Sequence, residues 1–513
     1  MHDELRELRA RLLEVNDLSM AAALLRWDQA TYMPPGGAPA RGRQLSTLSR
    51  IAHDRFTAPE FERALEAAER RVDGFPADDV DAALVRLTRR EFDRAVKVPS
   101  DFISEMNEHA ATSYQVWTDA RPKNDFAAVR PMVEKMLDLS RRLAGFFPGH
   151  DHPADPLIDE PDRGMTVASV RTLFGELRAR LVPLVQAIAE RPLADDSCVR
   201  HPAPRERQLA FGLEVIRRFG YDFDRGRQDM TPHPFMTKFS LGDVRITTRA
   251  REDEITDALF STLHECGHAL YEQGIDPSFE GTPLAEGASA GLHESQSRLW
   301  ENLVGRSRPF WEYFYPRIQE AFPEALRGVS LDTFYRAINK VERSLVRTDA
   351  DEVTYNLHVM LRFDLELQML EGSLAVADLP KAWRERFEAD FGIPVPDDRN
   401  GVMQDVHWYG VRIGGVFQGY TLGNILSAQL FEAAEQAHPT IRAEIAKGEF
   451  RTLHGWLRDK LYRHGSMFTP DELVQRVTGK AMSIDPYMRY LWGKYGPLYG
   501  IEEVAAPASG RVG

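Results

Sequence analysis

Helical periodicity dominates this chain of 513 residues. Leu5, Leu8, Leu12 and Leu13 recur at the spacing of one helix face. Similar patterns run through 41–70, 78–120, 126–145, 166–190 and most of 256–390, and again through 420–495. One stretch breaks the rule. Between His233 and Arg249, Phe235, Thr237 and Phe239 are followed by Leu241-Gly242-Asp243 and then by Val244, Ile246, Thr247 and Thr248. β-Formers on either side of a Gly-Asp pair predict two short strands around a turn. The expected fold is mainly α, with one small antiparallel β-sheet.

Pro/Gly clusters at 34–39, 147–164 and 277–287 read as loops, and none is long or polar enough for an interdomain linker. No internal repeat is evident. One large helical domain over 1–513 is expected, divisible into two lobes by a cleft, with a frayed tail at Ala505–Gly513. Net charge is −14, which argues against nucleic acid as a partner, because phosphate binding needs a basic face. Two cysteines, Cys198 and Cys266, cannot build a disulfide framework and suit a reducing compartment. The charged start, Met1 to Glu7, lacks the apolar stretch of a signal peptide, and no run approaches the roughly 18 apolar residues of a membrane span. A cytoplasmic location is expected, a cleaved signal outside this sequence being the alternative.

The chemistry is concentrated in His264-Glu265-Cys266-Gly267-His268, an H-E-x-x-H motif. Acidic Glu252, Asp253 and Glu254 suit a helix start before it, and Gly274 suits a helix end after it. Residues i and i+4 share a helix face, so both imidazoles reach one ion, and neutral imidazole is a good Zn²⁺ ligand. Glu265, beside the first ligand, is placed to take a proton from water. A catalytic zinc takes three protein ligands and keeps one open position. The third is expected from a second helical segment, Ala285–Leu303, which carries His293-Glu294-Ser295 after a 25-residue gap from His268. Glu294 and His293 are rivals for the place. As helix neighbours they point about 100° apart, so one ligates, and spacing alone leaves both open.

These motifs carry a resemblance. His233-Pro234-Phe235 matches an HPF motif, and Asp243-Val244-Arg245-Ile246-Thr247 matches DxRxT. HExxH and His293-Glu294-Ser295 follow. Val346 to Asp351 matches IRxxAD, with Val in place of Ile, and Gly401 to Trp408 matches GxxQDxHW. Trp27-Asp28, Met33-Pro34 and Arg41 look similar at the N-terminal end. In this order the motifs resemble the thermostable, or Taq-type, carboxypeptidases over nearly the whole chain. These are zinc HExxH peptidases with a glutamate third ligand, so the resemblance chooses Glu294 over His293. It implies a two-lobed helical fold with a deep central groove, similar to neurolysin-type and angiotensin-converting-enzyme-type peptidases, with the small sheet near the active site. It also implies a homodimer. One departure stands out: where the family usually reads GYFPSYxLG, this chain has Gly415-Val416-Phe417-Gln418-Gly419-Tyr420-Thr421-Leu422-Gly423. That puts side-chain preference, not the chemistry, in question.

The implied roles follow. His264, His268 and Glu294 hold Zn²⁺, one per chain, for which Co²⁺ or Mn²⁺ can substitute. Glu265 is the general base. By the resemblance to related peptidases, His407 and Tyr420 support the oxyanion, with Tyr409 as competitor and a structural histidine and core tyrosine as the plain alternatives. A free C-terminal carboxylate needs a cation, and Arg347 is the candidate, against an ion pair with Asp351 four residues on. Arg245 is the second candidate, although Asp243 beside it suggests strand support. His233 is a candidate substrate contact or a turn-stabilising histidine. An extended peptide adding to the sheet edge would bind without reading sequence, as broad specificity requires. Cys266 is expected in the core, and Lys340, Glu342 and Arg343 on a solvated helix face. The expected function is release of single C-terminal residues from peptides with a free C-terminus. The alternatives are an oligopeptidase or dipeptidyl carboxypeptidase with the same zinc chemistry, and an inactive groove-type peptide-binding protein.

Overall fold

In the computed structural model, which describes residues 2–502, the first leucine stripe forms one helix, Asp3–Thr31. Leu5, Leu8 and Leu12 are buried, whereas Leu13 faces outward, 45 % exposed. The chain sorts into two compact units, each made of three separate stretches. The first comprises Met1–Lys97, Ser197–Tyr335 and Leu430–Ala481, and the second Val98–Asp196, Arg336–Gln429 and Met482–Gly513. The expected frayed tail, Ala505–Gly513, lies outside the described residues. Among the described residues no helix is long and apolar enough to cross a membrane.

In the first unit, helices Asp3–Thr31, Ala38–Phe56, Pro59–Val72 and Val80–Lys97 come from the first stretch. The middle stretch supplies helix Arg205–Phe219, which the periodicity reading missed, then the sheet and the helix Asp257–Gly274. An aromatic cluster lies behind them: Phe219 packs 4.5 Å from Trp300 and 4.7 Å from Phe450, and Phe310 lies 4.5 Å from Phe314. Each such side chain contributes about 1.5–3 kcal/mol by leaving water. The last stretch adds Tyr462, fully buried, whose hydroxyl donates to Gln296 Oε1 at 2.9 Å and accepts from Trp300 Nε1 at 3.3 Å.

Both expected strands form, as β2 (Met236–Ser240) and β3 (Asp243–Thr248), antiparallel around the predicted turn. A third strand, β1 (Gln228–Met230), pairs parallel to β3, so the sheet is mixed rather than purely antiparallel. Val244 and Ile246 are fully buried. The sheet is tied to helix Asp257–Gly274 through Gln228 Nε2 on Thr262 Oγ1 (3.3 Å) and Thr248 Oγ1 on Ser261 Oγ (3.0 Å).

The second unit holds helices Ser100–Ala120, Phe126–Gly145, Val167–Ala189, Tyr355–Glu371, Leu379–Phe391 and Asp485–Tyr499. The helical pattern expected through most of 256–390 fails between 339 and 354. There the backbone bonds to distant side chains instead: Arg347 N–H donates to Gln404 Oε1 (2.7 Å), and Gln404 Nε2 donates to the Leu345 carbonyl (2.6 Å). Lys340, Glu342 and Arg343 therefore do not line a helix face. Lys340 is half-buried between Asp196 (3.3 Å) and Glu342 (2.7 Å).

Candidate metal centre

The H-E-x-x-H motif lies within helix Asp257–Gly274. The helix begins after the acidic Glu252-Asp253-Glu254 run, not on it, and Gly274 is its last residue as expected. The second helix begins at Ala290 rather than 285, capped by the Ser289 side chain, and runs to Arg298. From Leu299 to Val304 it widens into a π-helical turn, a distortion frequent at functional sites. Gly267 sets the contact between the two helices. A Cβ there would stand 2.4 Å from the Gln296 carbonyl oxygen and 2.6 Å from Ser297 Cα, so only glycine allows this approach. Cys266, between Glu265 and Gly267, is fully buried in the core, as expected.

The approach brings His264, His268 and Glu294 together, with one ligand atom from each within 4.8 Å of the others. Glu294 Oε2 is 3.6 Å from His264 Nε2 and 3.3 Å from His268 Nε2. Its other oxygen accepts from Arg298 Nε at 2.7 Å. Burial pushes the Glu294 carboxyl up, but Arg298 and the two imidazoles outweigh it and hold it well below the usual carboxylate range. His264 Nδ1 lies 2.9 Å from Glu301 Oε2, and Arg298 Nη1 reaches the same oxygen at 3.4 Å. Burial raises Glu301 too, but the His264 hydrogen bond and the Arg298 charge bring it down to about 2. A carboxylate behind a ligating histidine is the ordinary support of a metal site. Two imidazoles, one carboxylate and this backing fit a divalent transition metal.

Glu265 differs from the other carboxyls. It is buried, and its side chain forms no hydrogen bond among the described residues. Burial drives it up to about 7, helped by Glu294 and Glu301 and opposed by His264. Such a carboxyl is poised to exchange a proton near neutral pH.

His293 does not point at the three ligand atoms. Its Nδ1 lies 2.5 Å from His268 Nδ1, and its Nε2 lies 2.8 Å from Glu272 Oε1. Glu272 pairs in turn with Lys238 of β2 at 2.7 Å. Sequence reasoning missed Glu301, Arg298, Glu272 and Lys238. Arg298 and Glu301 carried a signal, at i+4 and i+7 from Glu294 on one face. Glu272 carried the same signal, at i+4 from His268, and Lys238 carried none.

Arg245 grips Asp243 with both prongs, Nε at 2.8 Å and Nη2 at 2.7 Å, and lies 4.6 Å over the Trp27 ring and 4.9 Å over Phe239. This is the strand support that Asp243 suggested. His233 is exposed in the bend before β2 and forms no hydrogen bond among the described residues.

In the second unit, His407, Tyr420 and Arg347 gather around Asp405, a residue inside the GxxQDxHW motif to which sequence reasoning gave no role. Asp405 Oδ2 accepts from Arg347 Nε at 2.6 Å and from Arg362 Nε at 3.3 Å, and Oδ1 accepts from His407 Nδ1. His407 Nε2 is 3.3 Å from the Tyr420 hydroxyl. The ion partner of Arg347 is thus Asp405, not Asp351, whose oxygens take the backbone N–H groups of Glu342, Val353 and Thr354. Arg347 Nη1 also donates to the Tyr355 hydroxyl at 2.8 Å. Tyr409 is fully buried 5.9 Å from the Trp117 ring, whereas Tyr420 is half-buried beside His407. In the departing stretch, Phe417 packs 4.8 Å from the His407 ring, and Gln418 is buried on Asp162 at 3.2 Å.

The family model for Carboxypeptidase Taq (M32) metallopeptidases matches residues 7–495. Thermostable carboxypeptidase 1 of Thermus thermophilus is 42 % identical over 499 residues, covering 94 % of this chain and 96 % of that protein. Carboxypeptidase 1 of Bacillus subtilis is 35 % identical over 500 residues, covering 97 % of this chain and 99 % of that one. The crystal structure of the M32 carboxypeptidase from Deinococcus radiodurans R1 superposes with a TM-score of 0.95 at 51 % identity, over 98 % of this chain and all of that one. With the ordered motifs and the His-His-Glu cluster, these matches establish that the chain belongs to the Carboxypeptidase Taq (M32) metallopeptidase family and is a metallocarboxypeptidase.

Proposed function

We propose that this chain is a zinc-dependent carboxypeptidase of broad specificity, releasing single C-terminal residues from peptides, with 1–513 working as one catalytic domain. The observation that carries the reading is the convergence of His264, His268 and Glu294 beside a buried, unbonded Glu265. The His₂Glu donor set favours Zn²⁺, one per chain, with Co²⁺ or Mn²⁺ as functional substitutes. When bound, the ion supplies Lewis acidity to a water molecule and to the scissile carbonyl. Glu265 removes the proton from the attacking water and returns it to the departing amine, a transfer suited to a carboxyl near 7. His407, fixed through Nδ1 by Asp405, and the Tyr420 hydroxyl hydrogen-bond the carbonyl oxygen as it gains charge. Arg347 holds the terminal carboxylate. Its Nε and Nη1 are anchored by Asp405 and Tyr355, and Nη2 makes no hydrogen bond among the described residues. Arg245 stiffens the strand that the substrate backbone runs along, and exposed His233 contacts the substrate.

We place the enzyme in the cytoplasm, as its two cysteines suit, and expect a homodimer, as the family resemblance implies. The family matches favour this reading and give no support to the oligopeptidase alternative. Mass spectrometry of two matched peptides tests it, one with a free C-terminus and one amidated, with a chelator-treated control. A ladder of single residues lost only from the free acid is the expected result. Equal internal cutting of both peptides would overturn it.

A further inference from the structure

His268 differs from His264 in what stands behind it. Behind His264 Nδ1 is a carboxylate, Glu301. Behind His268 Nδ1 is another imidazole, His293, at 2.5 Å, and only then a carboxylate, Glu272, 2.8 Å from His293 Nε2. Glu272 is 1 % exposed and paired with Lys238, which also meets Glu286 at 3.1 Å and the Ala285 carbonyl.

The hydrogen-bond directions in this row are determined from both ends. A carboxylate paired with an ammonium only accepts, so His293 carries its proton on Nε2. In a neutral His293, Nδ1 is then an acceptor. From the other end, a ligand that binds through Nε2 must carry its proton on Nδ1. His268 Nδ1–H therefore donates to His293 Nδ1, and its Nε2 lone pair faces the cluster, 3.3 Å from Glu294 Oε2. The opposite tautomer of His268 would put a proton where the ion belongs.

We infer that His293 is a positioning residue: backed by Glu272 and Lys238, it fixes the Nδ1–H tautomer of His268 and so governs how tightly the centre holds its ion. The inference rests on the metal-centre reading above. It gives a role to the histidine of the His293-Glu294-Ser295 motif that ligation leaves unused.

A merely structural role for His293 makes the opposite forecast. The ring stacks 4.6 Å from His268 and 5.5 Å from Tyr271, so a packing role would be preserved by Phe and lost with Asn. The tautomer role is preserved by Asn, whose Oδ1 takes the place of Nδ1 as acceptor, and lost with Phe. The experiment titrates Zn²⁺ into the full-length protein against a coloured chelator, for wild type, His293→Phe, His293→Asn and His268→Ala, each checked for folding by circular dichroism. His293→Phe is expected to weaken Zn²⁺ binding about 10- to 100-fold, with His293→Asn recovering most of the loss. Asn binding no tighter than Phe would overturn the inference. If the Phe variant does not fold, His293→Ala takes its place, and Asn no tighter than Ala would overturn it equally. A His268→Ala protein that binds Zn²⁺ as wild type does would bring down the metal-centre reading itself, an outcome separate from any result on His293.

Discussion

Replacing Gly267 by alanine sets two opposed effects against each other. In the middle of a helix, Gly→Ala is worth about 0.5–1 kcal/mol of added stability through backbone entropy. Here the new methyl would meet the Gln296 carbonyl at 2.4 Å and Ser297 Cα at 2.6 Å. Ordinary carbon contacts lie near 3.5 Å, so helix Ala290–Arg298 must retreat by about 1 Å. Overpacking of this kind costs about 1–3 kcal/mol, and the obstacle is backbone, which cannot rotate away. The clash wins, leaving a net loss of up to about 2 kcal/mol. The retreat also carries Glu294 away from His264 and His268, now 3.6 and 3.3 Å from its Oε2. A displacement near 1 Å at a reaction centre costs about 10²-fold in rate. Thermal unfolding and kcat on a short peptide are the assays. Gly493→Ala is the control, since nothing lies within 4 Å of a Cβ there and helix propensity alone should act. A Gly267→Ala protein as stable and active as wild type would refute the argument that this contact sets the ligand geometry.

Glu265→Gln should lower kcat by about 10²–10⁴-fold with Zn²⁺ content unchanged; equal kcat would remove Glu265 as the base. Arg347→Ala should erase the preference for a free C-terminus over an amide, and a retained preference would free Arg347 from that role. Burial pushes the Asp405 carboxyl up, but the His407 hydrogen bond and the charges of Arg362 and Arg347 hold it well below its ordinary range. A depressed carboxylate stabilises the fold above its unfolded value near 3.9, and that stability is lost as pH falls further. Urea unfolding at pH 5 and pH 3 should therefore show a smaller pH difference for Asp405→Asn than for wild type. The same variant should be less stable at pH 7 by about 3–5 kcal/mol, because two buried arginines lose their partner. A chelator should abolish peptide cleavage and lower the melting temperature, with Zn²⁺ restoring both; a melting point indifferent to Zn²⁺ would contradict binding to the folded state.

Local features were legible in the sequence, and long-range ones were not. The helix bearing His264 and His268 and the β2–β3 turn follow from spacing within a dozen residues. β1 is three residues without alternation and exists because β3 offers it an edge. The irregular run at 339–354 looked helical because its apolar pattern is helical. Its backbone is satisfied by Gln404, nearly 60 positions away, a partner no local pattern shows. The same holds within the site. Glu294 came from a motif, while Lys238 and Glu272 act on His268 only through contacts that the tertiary fold creates.

Tyr462 carries a consequence for the order in which this protein comes into being. All the groups that would hold the ion lie between His264 and Glu301, yet the hydroxyl that satisfies Gln296 and Trp300 behind them comes from the last stretch of the unit. A ribosome adds roughly 5–20 residues per second, so about 10–30 s pass between Glu301 and Tyr462. During that interval Gln296 Oε1 and Trp300 Nε1 lack the hydroxyl that satisfies them in the complete unit. The nascent chain thus carries every candidate ligand before it carries the wall that backs them.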